Sequence, residues 1–582
     1  MNECENLAEV EDLNEDEEHS EAEMFADEET VVLEVQDCVA EESPSASNSG
    51  ASIARATRAA IRNSKSTWSK STGIDTQVPE FKLPDSSEVI ELLTPLKYFF
   101  EFFDDEILDK IVVESNLYAL QKDINKPLQM ERNELKKWLG LVVYFSISKL
   151  PNTKMHWSKK LTPLTNFAAE VMSRDRFHFI KSNIHLADNT GAAPPGHPNY
   201  DPMYKVRPLI NHLREKFQKI PLDQNICIDE QMVPYKGKTK LKQYIPNKPK
   251  KFGYKLFVLA SEHGLMHDFI PYEGKITPVE DANVPDLGAS SNIVLHLAQN
   301  IPTEQNHLLF FDNWFTSIPL LQYLAGKGIW CCGTVRVPRL SGLPKTMKDD
   351  KKLVQQGRGA HEESEFSDET SKVTLVRWYD NKVVNLVSTF AKAKPLRTLC
   401  RFDKKTRRVV DISCPDIVHR YNKSMGGVDL ADQMISLYRI NIKSKKAYHR
   451  LIYHFIDMAL VNAWLLYRKN CNILSIPKKD VLQLSSFKLN IAVALTKTGI
   501  VQPNKRGRPS REEQTSNKRR RCNIVLDDVR LDHIDHLPSV DKNRQRCRVL
   551  GCKGQTKFFC KKCDAHLCLD KNKNCFQSFH TC

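Results

Sequence analysis

Leu308-Leu309-Phe310-Phe311-Asp312-Asn313-Trp314-Phe315 places four consecutive apolar residues directly before a carboxylate. A short apolar run rich in aromatic residues predicts a strand, and an acid at its end is held by the sheet while projecting into the cleft beside it. Upstream, Ile226-Cys227-Ile228 predicts a second strand ended by Asp229. Between them lie β-type runs at Lys255–Leu259 and Met266–Ile270. Beyond Asp312, a helix is predicted from Ile318 to Lys327, followed by strands at Trp330–Val335, Val373–Trp378 and Val383–Ser388. Strands interleaved with helices make this an α/β core.

Helical texture flanks the core on both sides. Leu96–Leu117 carries apolar residues at three- and four-residue steps, Leu135–Ile147 reads as a buried helix around Trp138, and Ser173 reads as the N-cap of the next. Another helix is predicted over Pro208–Phe217. After the core, helices begin near Val428, and Tyr448–Arg468 is long and amphipathic. The predicted organisation is an acidic disordered region (1–86), helical segments (87–224 and 439–500), a core in two parts (225–338 and 416–438), an insertion (339–415), a basic linker (501–545) and a cysteine-rich end (546–582).

Charge is segregated. The chain has a net charge of +13, yet residues Met1–Pro44 hold eighteen acids and no Lys or Arg, so the remainder carries +31. A body that basic attracts polyanions, DNA or RNA above all. No apolar run approaches the roughly 18 residues of a membrane span, and the N-terminus lacks a secretory leader pattern. An intracellular protein with no membrane partner is expected.

A third acidic motif follows Gly426-Gly427, where Asp429 and Asp432 share one face at the start of a helix. Carboxylates from two strands and a helix form an oxygen-lined site suited to Mg²⁺. Two such ions about 3.5–4 Å apart activate an attacking oxygen and stabilise a leaving oxygen in phosphodiester chemistry. Singly, each aspartate also fits a turn or a helix N-terminus. Phe315 reads as core, and Trp314 as either core or a base-stacking surface.

The segments ICIDEQMVPYKGK (Ile226–Lys238), FFDNWFTSIPLL (Phe310–Leu321) and YNKSMGGVDLADQM (Tyr421–Met434) resemble, in order and spacing, the three acid motifs of the piggyBac transposase family. NKPKKFGYKLFVL (Asn247–Leu259), GTVR (Gly333–Arg336), RDRF (Arg174–Phe177) and KVRPL (Lys205–Leu209) resemble family segments too. The resemblance runs from about Glu88 to the C-terminus. It implies an RNase H-like catalytic domain split by an insertion, with helical DNA-binding and dimerisation segments, hence a homodimer on double-stranded DNA. It further implies excision through a DNA hairpin and insertion at TTAA. Asp229, Asp312 and Asp429 are then the catalytic acids, holding two Mg²⁺ ions, with Asp432 as an additional acid at the site. Two other readings share these motifs: a domesticated nuclear DNA-binding protein without transposition activity, and a zinc-finger adaptor or ubiquitin ligase.

Basic residues border the acid motifs. Lys236, Lys238, Lys240 and Lys242 alternate, so on a strand they would share a face. Lys248, Lys250, Lys251 and Lys255 continue the track, and Arg439, Lys443, Lys445 and Lys446 flank the third motif. Together they suit DNA phosphates. Arg506 and Arg508, in Lys505-Arg506-Gly507-Arg508-Pro509, resemble an AT-hook core that reads an A/T minor groove. With Lys518–Arg521 they also resemble a bipartite nuclear import signal.

Seven of sixteen cysteines lie between Cys547 and Cys582. In an intracellular chain such a cluster points to metal rather than disulfides. Cys547, Cys552, Cys560, Cys563, Cys568, Cys575, His580 and Cys582 supply eight ligands for two Zn²⁺ ions in an interleaved cross-brace, with His566 competing with Cys568 or Cys582. The resemblance implies that this domain recognises the element's DNA ends.

Overall fold

The computed structural model describes residues 67–70, 73–82, 91–158, 166–246, 248–340, 347, 349–367, 372–403, 407–444, 446–497, 525–570 and 573–581. The acidic head, Lys445, the Arg506 and Arg508 pair, Lys518–Arg521 and Cys582 lie outside these residues.

A ten-stranded mixed sheet forms the centre. Its strands are β1 (Thr67–Lys70), β2 (Asn225–Pro234), β3 (Gln243–Tyr244), β4 (Phe252–Ser261), β5 (Met266–Pro271), β6 (Leu308–Phe311), β7 (Trp330–Thr334), β8 (His361–Ser367), β9 (Lys372–Tyr379) and β10 (Val383–Ser388). Their spatial order is β1-β8-β9-β10-β7-β6-β2-β4-β3, with β5 also paired to β4. β6 pairs in parallel with both β2 and β7, and the remaining pairs are antiparallel. Parallel strands need a crossover, and the segment between β6 and β7 supplies one in the helix Ile318–Ala325.

Both faces of the sheet are covered, which explains the unbroken apolar run of β6. Ile226, Ile228, Leu309 and Phe311 pack with the helices Ala289–Ala298 and Ile318–Ala325 in one core. Cys227, Leu308 and Phe310 face the other, larger core, which also contains Trp138, Phe177, Leu451 and Phe455 from the helical segments. Period-two alternation thus divides β2 and β6 between two cores.

The helical segments interlock across the sequence. The helix Arg132–Ile147 lies against Leu484–Lys497, where Gly140 would bring a Cβ within 2.8 Å of the Ala492 carbonyl oxygen. The long helix Ala447–Ile473 carries a buried ion pair, Asp457–Lys488, at 3.2 Å. Asp457 also accepts from the Ile440 backbone N–H at 2.8 Å, and Lys488 donates to the Tyr438 carbonyl at 2.6 Å. This pair anchors the irregular segment leaving the third acid motif.

Three expectations change. Residues 67–70 and 73–82 belong to the fold rather than the disordered head: β1 pairs with the edge strand β8, and Trp68 packs against Phe366 at 5.1 Å. Thr76, Pro79 and Glu80 then make hydrogen bonds with Lys392, Gln224 and Asn306. Such pairings satisfy backbone groups that a polar composition alone does not reveal. Strands β8–β10, expected inside a separate insertion at 339–415, extend the main sheet because β10 pairs with β7. Of that range, the hairpin Arg397–Asp403/Arg408–Cys414 forms its own two-stranded sheet. Finally, Asp229 does not end its strand, for β2 continues to Pro234 along β4. What ends there is the parallel pairing with β6.

Replacing Lys488 by Met leaves Asp457 charged and unpaired in the core. We expect a loss of about 3–5 kcal/mol from the unfolding free energy, measured by denaturant titration. Substituting Asp457→Leu alongside should recover much of it; a single variant as stable as the parent would show that the pair anchors nothing.

Candidate functional site

The register places the acids. Ile228 lies opposite Phe311 in the parallel β2–β6 pair, so Asp229 and Asp312 follow side by side at the level where that pairing ends. Both continue the alternation of Cys227 and Phe310, and so project from the face of the larger core. Asp312 Oδ1 accepts from the Trp314 backbone N–H at 2.8 Å, turning the chain out of β6. Arg339 Nη1 donates to the carbonyls of Asn313, Trp314 and Thr316 at 3.0, 2.8 and 3.0 Å, fixing that turn. Arg336 Nε adds a bond to Asn313 Oδ1 at 3.1 Å. Arg339 was missed in the sequence, where only its position three residues beyond GTVR hinted at a role.

The third motif arrives on the helix Gly427–Leu437, which docks on the same face through Val428, Ala431, Met434 and Ile435. A Cβ at Gly427 would lie 2.1 Å from the Ser261 carbonyl oxygen and 2.9 Å from Cys227 Sγ. Glycine is therefore required for this helix to approach β2 and β4. Asp429, in its first turn, keeps a side chain 71% exposed, with one oxygen 3.9 Å from Lys248 Nζ. Asp432 lies deeper, and one of its oxygens is buried without a hydrogen-bond partner.

Electrostatics mark a pocket short of positive charge. Burial pushes the Asp229 carboxyl well above the usual range; Lys248 opposes the rise, while Asp312 and Asp429 add to it. Burial also raises Asp312, against the Trp314 N–H. Asp432 is pushed up to about 6 by burial, opposed by Arg439. Asp229, Asp312 and Asp429 do not all lie within 4.8 Å of one another. An all-carboxylate donor set with an orphaned buried oxygen nonetheless suits hard divalent cations.

The lysine track divides. Lys250, Lys251 and Lys443 are exposed, as a phosphate contact requires. Lys255 is instead a strut: it pairs with Glu230 and sits 4.9 Å over both Phe257 and Trp314, which stack at 5.7 Å. That stack places Trp314 under the acids, and Phe315 is core. Lys446 lies 4.2 Å over Tyr118 and donates to the Ser182 carbonyl at 2.7 Å, so it too is engaged internally. Residues 235–242 form turns after β2, so the alternating lysines there do not share a strand face.

At the C-terminus two four-residue groups have ligand atoms within 4.8 Å: Cys547, Cys552, Cys568 and Cys575, and His536, Cys560, Cys563 and His580. The interleaving is that of a cross-brace. His536 completes the second group, the place expected for Cys582. It stands within the range expected to be linker, where the helix Asp527–Arg530 and the strand Pro538–Arg546 already belong to this unit. His536 Nε2 bonds Asp532 at 2.9 Å, which turns Nδ1 toward Cys560 and Cys563 at 3.4 and 3.5 Å. His580 uses its other nitrogen: Nδ1 donates to the Phe576 carbonyl at 2.6 Å, leaving Nε2 facing Cys563 at 3.6 Å. His566 belongs to neither group; its Nε2 bonds Asp541 at 3.1 Å.

The family model described as Transposase IS4 matches residues 94–464, which include all three acid motifs. The human PiggyBac transposable element-derived protein 3 is 31% identical over 493 residues, 84% of this chain and 76% of that protein. The chain belongs to the piggyBac transposase family. PiggyBac transposable element-derived protein 2 from Homo sapiens is 31% identical over 78% of this chain and 72% of its own. Among solved structures, the piggyBac transposase synaptic complex with hairpin DNA superposes with a TM-score of 0.57 at 25% identity, over 69% of this chain and 80% of that one. The mixed α/β core is thus that of a piggyBac transposase, a family of DNA-cleaving and DNA-transferring enzymes.

Two predictions follow the geometry. His536→Ala should lower bound zinc from about two ions per chain to about one, while His566→Ala keeps about two, by elemental analysis of purified protein; the reverse pattern would refute the ligand assignment. For Asp432, a folded-state pKa of about 6 against the ordinary 3.8 means that folding favours the protonated acid. Its stabilising contribution relative to neutral pH is present below about 4 and disappears as pH rises through about 6. Asp432→Asn should therefore stabilise the protein without added Mg²⁺ by about 2 kcal/mol at pH 7.5 and by little at pH 4.5. Equal gains at both pH values would contradict this.

Proposed function

We propose that the chain is a DDD cut-and-paste DNA transposase with an RNase H-like core, cleaving and joining strands at TTAA sites. The observation that carries this reading is the arrival of Asp229, Asp312 and the Asp429 helix where the parallel β2–β6 pairing ends, on one face of the sheet. In this reading Asp229 and Asp429 would hold two Mg²⁺ ions with Asp312 as a further ligand. Bound there, the ions supply Lewis-acid activation of the attacking oxygen and neutralisation of the leaving oxygen.

The chain's own residues do the positioning. The parallel strands fix two carboxylates, and the glycine-docked helix presents the third from outside the sheet. Arg336 and Arg339 hold the Asp312 turn, and the Lys255–Trp314–Phe257 stack supports it from below. Exposed Lys250, Lys251 and Lys443 would contact the DNA backbone. A new P–O bond forms as the scissile one breaks, and no side chain need act as a covalent nucleophile.

In the tail, the two Cys/His groups would each take one Zn²⁺, stabilising a short segment with little core of its own. The unit would then grip the element's DNA ends. The basic segment at 505–521 would direct the protein to the nucleus, where it would act as a homodimer. A domesticated, DNA-binding role is the second reading, favoured by the resemblance to human proteins named as transposable element-derived.

Excision of an element flanked by its own ends, with Mg²⁺, distinguishes the two. The parent chain should excise, and Asp229→Ala, Asp312→Ala and Asp429→Ala should each lower the rate by on the order of 10³-fold or more. Binding of the same ends with no excision above the background of these three variants would favour the domesticated reading.

A further inference from the structure

Three lysines stand at the tip joining β3 to β4, and they do not behave alike. Lys250 and Lys251 are exposed, whereas Lys248 turns inward, with a side chain 24% exposed and its Nζ 3.9 Å from Asp429 Oδ1. The tip is closed at its base by a bond from the Ile245 N–H to the Lys251 carbonyl at 2.9 Å, and by pairing of Gln243 with Gly253 and Tyr244 with Phe252. The inward lysine is therefore set by the hairpin. Asp229, Glu230, Asp429 and Asp432 all act on its charge. Glu230 already pairs with Lys255, and Arg439 opposes Asp432. Among the described residues, Lys248 is the cation paired with Asp429.

We propose that the Lys248 ammonium is the resident counter-ion of the carboxylate pocket, held beside Asp429 until a divalent ion displaces it. This rests on the reading of Asp229, Asp312 and Asp429 as metal ligands. A divalent ion bound to Asp429 would stand a few ångströms from the ammonium, and like charges at such a distance repel strongly in a half-buried site. The ammonium and the ion cannot share Asp429 at full strength. Lysine suits an exchangeable role, since it is a point charge on a flexible four-carbon stem. At 3.9 Å it is an ion pair rather than a tight hydrogen bond, so no fixed geometry has to be broken.

The test uses the full-length, zinc-loaded protein without DNA, titrated calorimetrically with Mn²⁺. Lys248→Gln and Lys248→Met should each bind Mn²⁺ about tenfold more tightly than the parent, because the competing charge is gone. Lys248→Arg should stay within about twofold of the parent, and so should Lys250→Gln, whose charge lies outside the pocket. Asp429→Asn should abolish the tight site in either background. Unchanged or weaker Mn²⁺ binding by both neutral Lys248 variants would overturn this inference alone. Absence of any Asp429-dependent Mn²⁺ site, in the parent and the variants, would overturn both this inference and the catalytic reading.

Discussion

The parallel hydrogen-bonded pairing of β2 with β6 is the constraint on which the carboxylate pocket depends. It aligns Asn225 with Leu308 and Ile228 with Phe311, so the next residue on each strand is an aspartate at a common level. Strand periodicity then sends both side chains to one face, and the crossover helix Ile318–Ala325 covers the opposite face. A slip of one residue would send one carboxylate into a core of Ile226, Leu309 and Phe311. Everything else at the site is built around this register. Gly427 permits the third helix to close in, and Arg339 holds the turn that β6 enters.

Gathering these acids has an electrostatic cost that the fold meets only in part. Asp229, Asp312 and Asp432 are all pushed toward protonation by burial. The positive groups nearby are placed unequally: Lys255 is locked between Glu230 and two aromatic rings, Arg439 lies by Asp432, and Lys248 reaches Asp429 from a hairpin tip. A site left short of positive charge suits divalent cations, and perturbed carboxylates gathered in one cleft make it a candidate functional site. The same design makes the metal-free pocket a weak point of the fold. The buried Asp457–Lys488 pair works in the opposite sense, holding the chain that leaves the third motif against two helices.

Much of this was legible in the sequence because it follows from local rules. The apolar runs at Ile226–Ile228 and Leu308–Phe311 mark strands, Gly426-Gly427 marks the helix start, and Ser173 caps its helix through the Arg176 N–H. What the sequence hid were long-range pairings. Nothing in Thr67–Lys70 announces that it closes a sheet edge, and Val383–Ser388 gives no sign that its partner is Trp330–Thr334. His536 escaped because it stands eleven residues before the first cysteine, where only the fold of the tail brings it back beside Cys560 and Cys563. Lys255 and Lys446 looked like phosphate contacts by composition, yet aromatic rings claim both ammonium groups.

The tail applies the same principle with sulfur and nitrogen in place of oxygen: residues distant in sequence are brought together, and the hydrogen bonds that Asp532 and the Phe576 carbonyl accept choose which histidine nitrogen faces the cysteine sulfurs. For the central claim, that the strand aspartates and the helix aspartate form one divalent-cation site, the most direct measurement is anomalous diffraction from crystals soaked in Mn²⁺. The account predicts Mn²⁺ peaks at roughly 2.1 Å from carboxylate oxygens of Asp229 and Asp429, with Asp312 at the same cluster. Peaks confined to other acids, such as the Asp104, Glu106 and His212 group, with the pocket empty, would contradict it.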